Sequence, residues 1–380
     1  MAKEETKFSL SMEQRKMLDE AAKNDAPLEF METGNVGLDL ALTDGKGLPM
    51  GASVLFWAKP GSGKTTIVAD ASRRLIKRAK ANNETFKVLY LAVEDSRSLM
   101  SSLGLDEYIA SKDFLYIPKS FCWRQIETFY EAVLNGYGPY QGVKLIVIDS
   151  VNNVLSDQNV KNSVADGDYG TKARERSSFY GKFLPLCKEK GISSFFISQV
   201  RKRQNAGMYE DTNRAAVSDV DLHNVDIILK CSSYNNTTDA SKMEEETIFG
   251  KDRVSSKSIF KMDSKAADCK NRFIIGNAVE LLFEKGKCVW NYYTVRKLLE
   301  GCKLVKSNGG WWSFDSELVK SLNFPDYKLR VAEVNELVQE HIGELIELIK
   351  KMGRYKVGIS KVEVPVTEAD IEAEALGEDE

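Results

Sequence analysis

The chain of 380 residues is 43% hydrophobic and 29% charged, with 26 glycines and 8 prolines, which excludes collagen-like, low-complexity and wholly disordered classes and leaves room for two or three folded units. Its net charge of −3 conceals two regions of opposite sign, because residues 363–380 carry eight acids and no base; the net-positive remainder permits nucleic acid as a partner without demanding it. No run of about 18 apolar residues and no apolar leader is present, so the expectation is a soluble, cytoplasmic chain with no membrane partner.

In chain order, residues Ser11 to Lys23 read as a short helix with Ser11 as N-cap and Gln14 three positions on. Residues 1–30 form this amino-terminal segment, which packs either on its own core or on a neighbouring copy. From Gly51 apolar strands at 52–57, 87–93, 144–150 and 193–198 alternate with amphipathic stretches near 64–81, 123–135 and 170–189. Near-continuous apolar runs separated by helices predict an α/β fold with a mostly parallel central sheet covered on both faces. After a polar excursion beyond Cys231, read as a loop or hairpin, sheet resumes at 256–263 and 278–283. The core is assigned to 31–290. A small carboxyl-terminal domain follows at 291–362, with helical spacing over Val331 to Lys351, and residues 363–380 read as an acidic, disordered tail. Six scattered cysteines (Cys122, Cys187, Cys231, Cys269, Cys288 and Cys302) form no CxxC pair, so free thiols are expected and any metal should be oxygen-bound.

The segment Ala58-Lys59-Pro60-Gly61-Ser62-Gly63-Lys64-Thr65-Thr66 lies between a strand and a helix, the context of a phosphate-binding loop. Gly61 and Gly63 let backbone amides curl around anionic oxygens. The helix start near Thr65 adds its positive dipole end, Lys64 reaches the β and γ phosphates of ATP, and the Thr65 hydroxyl ligates Mg²⁺. LIVIDS delivers Asp149 to a strand end as the second magnesium contact. VLYLAVED brings Glu94 to the end of another strand as acceptor of the proton from the attacking water, with Asp95 as the competing candidate. Gln199, in FISQVR, sits where a neutral amide would sense the γ phosphate.

The ordered motifs TGNVGLDLAL, GLPMGASV, AKPGSGKTT, VLYLAVED, LIVIDSV, FISQVR and KNRF, with LLEGCKLVKSNGGWWSFD beyond them, resemble the RecA family of recombinases, including its phage UvsX branch, over roughly residues 30–350. That resemblance implies a RecA-like P-loop ATPase core and a Mg-ATP-dependent filament that assembles on single-stranded DNA and pairs it with a homologous duplex. It also implies Glu94 as catalytic base, Gln199 as γ-phosphate sensor, and Lys270 with Arg272 as cations that contact ATP bound by the adjacent protomer. DNA would be held by a first loop at 156–170 followed by Lys172, Arg174, Arg176 and Ser177, and by a second loop after Gln199 beginning with Arg201, Lys202 and Arg203; a solvated charge run is the alternative. Loader or single-strand-binding proteins are further implied partners, in a bacterial or phage-infected cell. The second loop lacks the paired glycines usual in recombinases, and Met100 or Ser101 stands where an adenine-stacking aromatic is expected. DLHNVDIILK followed by KNRF also resembles the RadA/Sms branch-migration helicases. A ring-forming motor and a nucleotide-gated DNA-coating mediator are therefore the alternatives to a recombinase.

Overall fold

The structure is a computed structural model that describes Met12 and residues 29–94, 96–157, 171–202, 213–215, 223–233, 257–264, 269–274, 278–284 and 288–351. The expected amino-terminal helix, apart from Met12, and the acidic tail lie outside the described residues. A short pair, β1 (Phe30–Met31) and β2 (Leu48–Pro49), brackets helix α1 (Val36–Thr43), which Asn35 caps by accepting the Leu38 amide at 3.1 Å.

The alternating pattern then produces β3 (Ser53–Ala58), α2 (Lys64–Ala81), β4 (Lys87–Ala92), α3 (Arg97–Ser102), α4 (Asp106–Ala110), β5 (Phe114–Pro118), α5 (Trp123–Leu134), β6 (Val143–Asp149), α6 (Thr171–Glu189) and β7 (Ser193–Lys202). Beyond these run β8 (Asn213–Ala215), β9 (Ile227–Ser233), β10 (Lys257–Asp263), β11 (Lys270–Asn271), β12 (Ala278–Glu284) and β13 (Cys288–Trp290). The main path of the central sheet is β13-β12-β10-β9-β3-β7-β6-β4-β5. From β9 to β5 neighbouring strands are parallel, whereas β9, β10, β12 and β13 pair antiparallel. The expected α/β core with a mostly parallel sheet is therefore present, extended at one edge by an antiparallel meander.

Although the central strands are apolar throughout, their two-residue period still sorts them. Val54, Phe56, Val88, Tyr90, Leu145, Val147, Phe195 and Ile197 face the layer of α1 and α2. Leu55, Trp57, Leu89, Leu91, Ile146, Ile148 and Phe196 face α5 and α6, where Trp123, Tyr130, Phe179 and Phe183 pack edge to face or tilted. Strands buried on both faces hold the backbone stiffly, so the residues at their carboxyl ends are fixed in space.

The remaining described elements are α7 (Asn291–Gly301), β14 (Val305–Asn308), β15 (Trp311–Phe314), α8 (Ser316–Leu322), α9 (Val331–Glu340) and α10 (Ile342–Lys351). The spacing that reads as one helical stretch over 331–351 is broken at His341, which caps α9 with φ −104° before α10 begins. Leu298, Leu318, Val334, Val338 and Ile349 share the apolar cluster of α1 and α2, and Lys350 reaches Glu32 at 3.0 Å. No described helix is long and apolar enough to cross a membrane.

Candidate functional site

Strand register assembles the site. Ala58 of β3 stands beside Gln199 of β7, and Ala92 of β4 beside Asp149 of β6, so the phosphate loop, the Glu94 region, Asp149 and Gln199 all emerge at the carboxyl edge of the parallel sheet. Gly61 (φ 76°) and Gly63 (φ 71°) adopt the left-handed conformation that lets the loop curl. A Cβ on Gly63 would come within 3.1 Å of the Phe283 ring. Helix α2 covers the stretch read as helical over 64–81, beginning at Lys64 with Gly63 as N-cap. Its first-turn amides have no intrahelical partner and carry the positive end of the helix dipole, as an anion requires. Lys59, Pro60 and Gly61 are exposed, while Ser62, Lys64 and Thr66 are buried.

The Lys64 ammonium donates to the carbonyls of Ala58 and Lys59, each at 3.0 Å. Burial pulls its pKa below the usual lysine value, opposed by the charges of Asp149, Cys231 and Glu94. Cys231 itself lies under the loop, its Sγ 3.8 Å from the Ser62 carbonyl, and burial pushes the thiol up to about 12.

Asp149 is 4% exposed. Its Oδ2 accepts the hydroxyls of Thr65 and Tyr90, each at 2.7 Å. Burial raises its pKa, and those two hydrogen bonds hold it down in part. Alcohol and carboxylate oxygens side by side fit a hard divalent cation of the Mg²⁺ type, which completes its shell with phosphate and water.

The Asp149–Ser150 peptide is cis, and a short 3-10 turn, Val151–Asn153, follows it. Here the structure gathers what the sequence had scattered. Glu94 Oε1 accepts from Ser150 Oγ at 3.0 Å, Asn153 Nδ2 at 2.6 Å and Gln199 Nε2 at 2.8 Å. Asn152 Oδ1 accepts from the Gln199 amide at 2.8 Å and from Ser198 Oγ at 3.1 Å. Base candidate and sensor candidate are thus hydrogen-bonded to each other. No motif in the sequence points to Tyr90, Ser150, Asn152 or Asn153; the nearest signal is a pair of asparagines three and four positions after the strand-end Asp149. Asp95 lies outside the described residues.

Lys270 and Arg272 form a separate cluster. Lys270 donates to the carbonyls of His223 (3.0 Å) and Val225 (2.6 Å), and Arg272 to the His223 carbonyl (3.3 Å) and the Asp226 carboxylate (3.2 Å). Asp226 also accepts the Ser53 amide and hydroxyl. Burial, then the charge of Arg272, lowers the Lys270 pKa. Lys270 pairs with Ile228 and Asn271 with Ile227, which align with Leu55 and Val54. The Arg272 amide bonds the Asp226 carbonyl, level with Ser53, so along the strands these cations sit three to five residues, roughly 10–17 Å, from Ala58 towards the opposite edge of the sheet.

Most of both expected DNA loops, including Arg203, lies outside the described residues. Lys172 donates to the Asn152 carbonyl at 2.7 Å, Arg174 is exposed and Ser177 half-buried. Arg176 departs from expectation: it is buried, its guanidinium 6.0 Å from the centre of the Trp123 ring, and in this conformation it presents little surface to a phosphate backbone. Arg201 and Lys202 close β7, paired with Arg214 and Asn213 of β8. Where the adenine-stacking residue is expected, Met100 is buried, whereas the Ser101 hydroxyl meets Asp106 at 3.1 Å.

Fold and site together define a class, an α/β nucleotide-binding core of the RecA-like P-loop type. A family model described as an AAA domain matches residues 44–205. Among curated proteins, the chain is similar to Protein RecA of Mycoplasma genitalium (28% identical over 184 residues, 48% of this chain and 49% of the relative). Protein RecA of Nitratiruptor sp. is 29% identical over 192 residues, 49% and 50% of the two chains. That of Sulfurovum sp. is 25% identical over 183 residues, 48% of each. The chain spans about half the length of the curated relatives it matches, and these likenesses support a RecA-like family for its core.

Proposed function

We propose that this chain is a Mg²⁺-dependent, DNA-stimulated ATPase of the recombinase kind, which assembles on single-stranded DNA and pairs it with a homologous duplex, in the manner of the phage UvsX branch. The observation that carries the reading is the 2.8 Å hydrogen bond from Gln199 to Glu94 beside the phosphate loop. A γ phosphate within reach of the Gln199 amide would compete for that donor. Binding would then free Glu94 to take a proton from water, and would displace the strand end that runs into Arg201 and Lys202. Mg²⁺, held by Thr65 and Asp149, would neutralise charge on the phosphates.

The position of Lys270 and Arg272 supports self-assembly. They lie back along the sheet from their own loop, and both are held on the single turn 223–226. They would complete the site of the next protomer and stabilise charge on the departing phosphate. Single-stranded DNA would be gripped through phosphates by the exposed Arg174 and the basic second loop, with affinity that falls steeply with salt.

The test is ATP hydrolysis with and without single-stranded DNA, followed by strand exchange and negative-stain imaging. Stimulated hydrolysis, helical filaments and exchange are expected. Closed hexamers without exchange would replace the recombinase with a ring motor, and biological activity that survives Glu94→Gln would make it a mediator.

A further inference from the structure

We propose that Asn152 and Asn153 are positioning residues for hydrolysis: Asn153 orients the Glu94 carboxylate, and Asn152 ties the Gln199 strand end to the start of α6. The inference rests on the reading of Glu94 as base and Gln199 as sensor. Among the described residues, three donors converge on Glu94 Oε1 while Oε2 takes none. A carboxylate oxygen offers about two lone pairs, so three donors fix the carboxylate plane and leave Oε2 to receive a proton.

Gln199 is the donor that γ phosphate would withdraw. After its departure Asn153, at 2.6 Å the shortest of the three, and Ser150 alone hold the base. Without Asn153 a single hydroxyl remains and the carboxylate can rotate, at the moment when alignment matters most.

Asn152 works on the other partner. Its Oδ1 accepts the Gln199 amide and the Ser198 hydroxyl, while its carbonyl accepts Lys172 at 2.7 Å from the second residue of α6. Lys172, expected from the sequence to grip DNA, serves here as a strut. Val151 and Val154 on either side are fully buried and pin the turn to the core. A two-residue step thus touches base, sensor and the exit of the first loop region.

Asn153 acts on Glu94 as a donor, and Asn152 on the Gln199 strand end as an acceptor. In steady-state hydrolysis with single-stranded DNA, Asn153→Asp and Asn153→Ala should each lower kcat about 10-fold or more, with KM for ATP within about 2-fold. Asn152→Ala, which removes the acceptor of the Gln199 amide, should lose most of the stimulation by DNA. Melting temperatures of all three variants, and Glu94→Gln as reference, accompany the assay. Full kcat in Asn153→Asp beside an inactive Glu94→Gln would overturn the proposal and leave the role of Glu94 standing. Losses that track lost melting temperature in all three variants would also overturn it. An active Glu94→Gln would remove the underlying reading and the proposal with it.

Discussion

The hydroxyl of Thr65 donates to Oδ2 of Asp149 at 2.7 Å, joining the first turn of α2 to the end of β6 across 84 positions of sequence. Because Tyr90 donates to the same oxygen, this carboxylate, proposed above to hold the cation, also satisfies a fully buried phenol. Asp149→Ala should therefore cost about 1–3 kcal/mol of stability, the penalty for leaving a buried hydroxyl unmatched, and should also abolish the extra thermal stabilisation that Mg²⁺ adds to bound nucleotide. Thr65→Ala should lose the second effect and keep most of the stability. Differential scanning with nucleotide, with and without Mg²⁺, separates the two.

Gln199→Ala removes the shared donor between base and sensor. Nucleotide affinity should change by less than about 3-fold, since phosphate binding belongs to the loop and helix start, but the gain in DNA affinity on adding a non-hydrolysable ATP analogue should vanish. Gln199→Glu should be worse, because a second carboxylate would face Glu94 at hydrogen-bond distance. Fluorescence titration of nucleotide and of labelled oligonucleotide checks both halves.

The placement of Lys270 and Arg272 predicts complementation in mixtures. Lys64→Ala lacks its own phosphate contact, and Arg272→Ala lacks the contact offered to a neighbour, so each alone should hydrolyse poorly. In an equal mixture roughly a quarter of head-to-tail seams contain both intact halves, and hydrolysis should recover to a comparable fraction of the parent rate. A mixture no more active than its components would place the cations outside the reaction.

Asp39 links pH to stability. Burial raises its pKa to about 7, against hydrogen bonds from the Thr33 amide and hydroxyl. Between the ordinary value near 3.8 and 7 the folded state holds a proton that the unfolded chain has released. This contribution is fully present below pH 4 and is lost as pH rises through 7, amounting to a few kcal/mol. Asp149, also raised, contributes with the same sign. Denaturant unfolding of Asp39→Asn and the parent at pH 5 and pH 8 should show the mutant's relative stability improving at the higher pH.

Local pattern carried the fold and the front of the site. A glycine-rich turn between an apolar strand and a helix has few other uses, and strand ends in a parallel sheet converge, so Lys64, Thr65, Asp149, Glu94 and Gln199 could be named from spacing. What stayed hidden depends on tertiary direction. Arg176 looks like its neighbour Arg174, and only the helix phase against Trp123 buries it. Lys172 turns inward because the Asn152 carbonyl lies under it. The break at His341 follows no glycine or proline, and α9 and α10 share one apolar period. Sheet is legible at 256–263 and 278–283, the residues of β10 and β12, but not their antiparallel pairing nor β13, whose three residues are too few to show a pattern.

The most direct measurement is the affinity of the full chain for a fluorescent single-stranded oligonucleotide, by anisotropy, with and without a non-hydrolysable ATP analogue and Mg²⁺. Nucleotide held beside Gln199 should tighten binding about 10-fold or more, with the gain shrinking as salt rises. Equal affinity in both conditions, or no binding in either, would contradict the account.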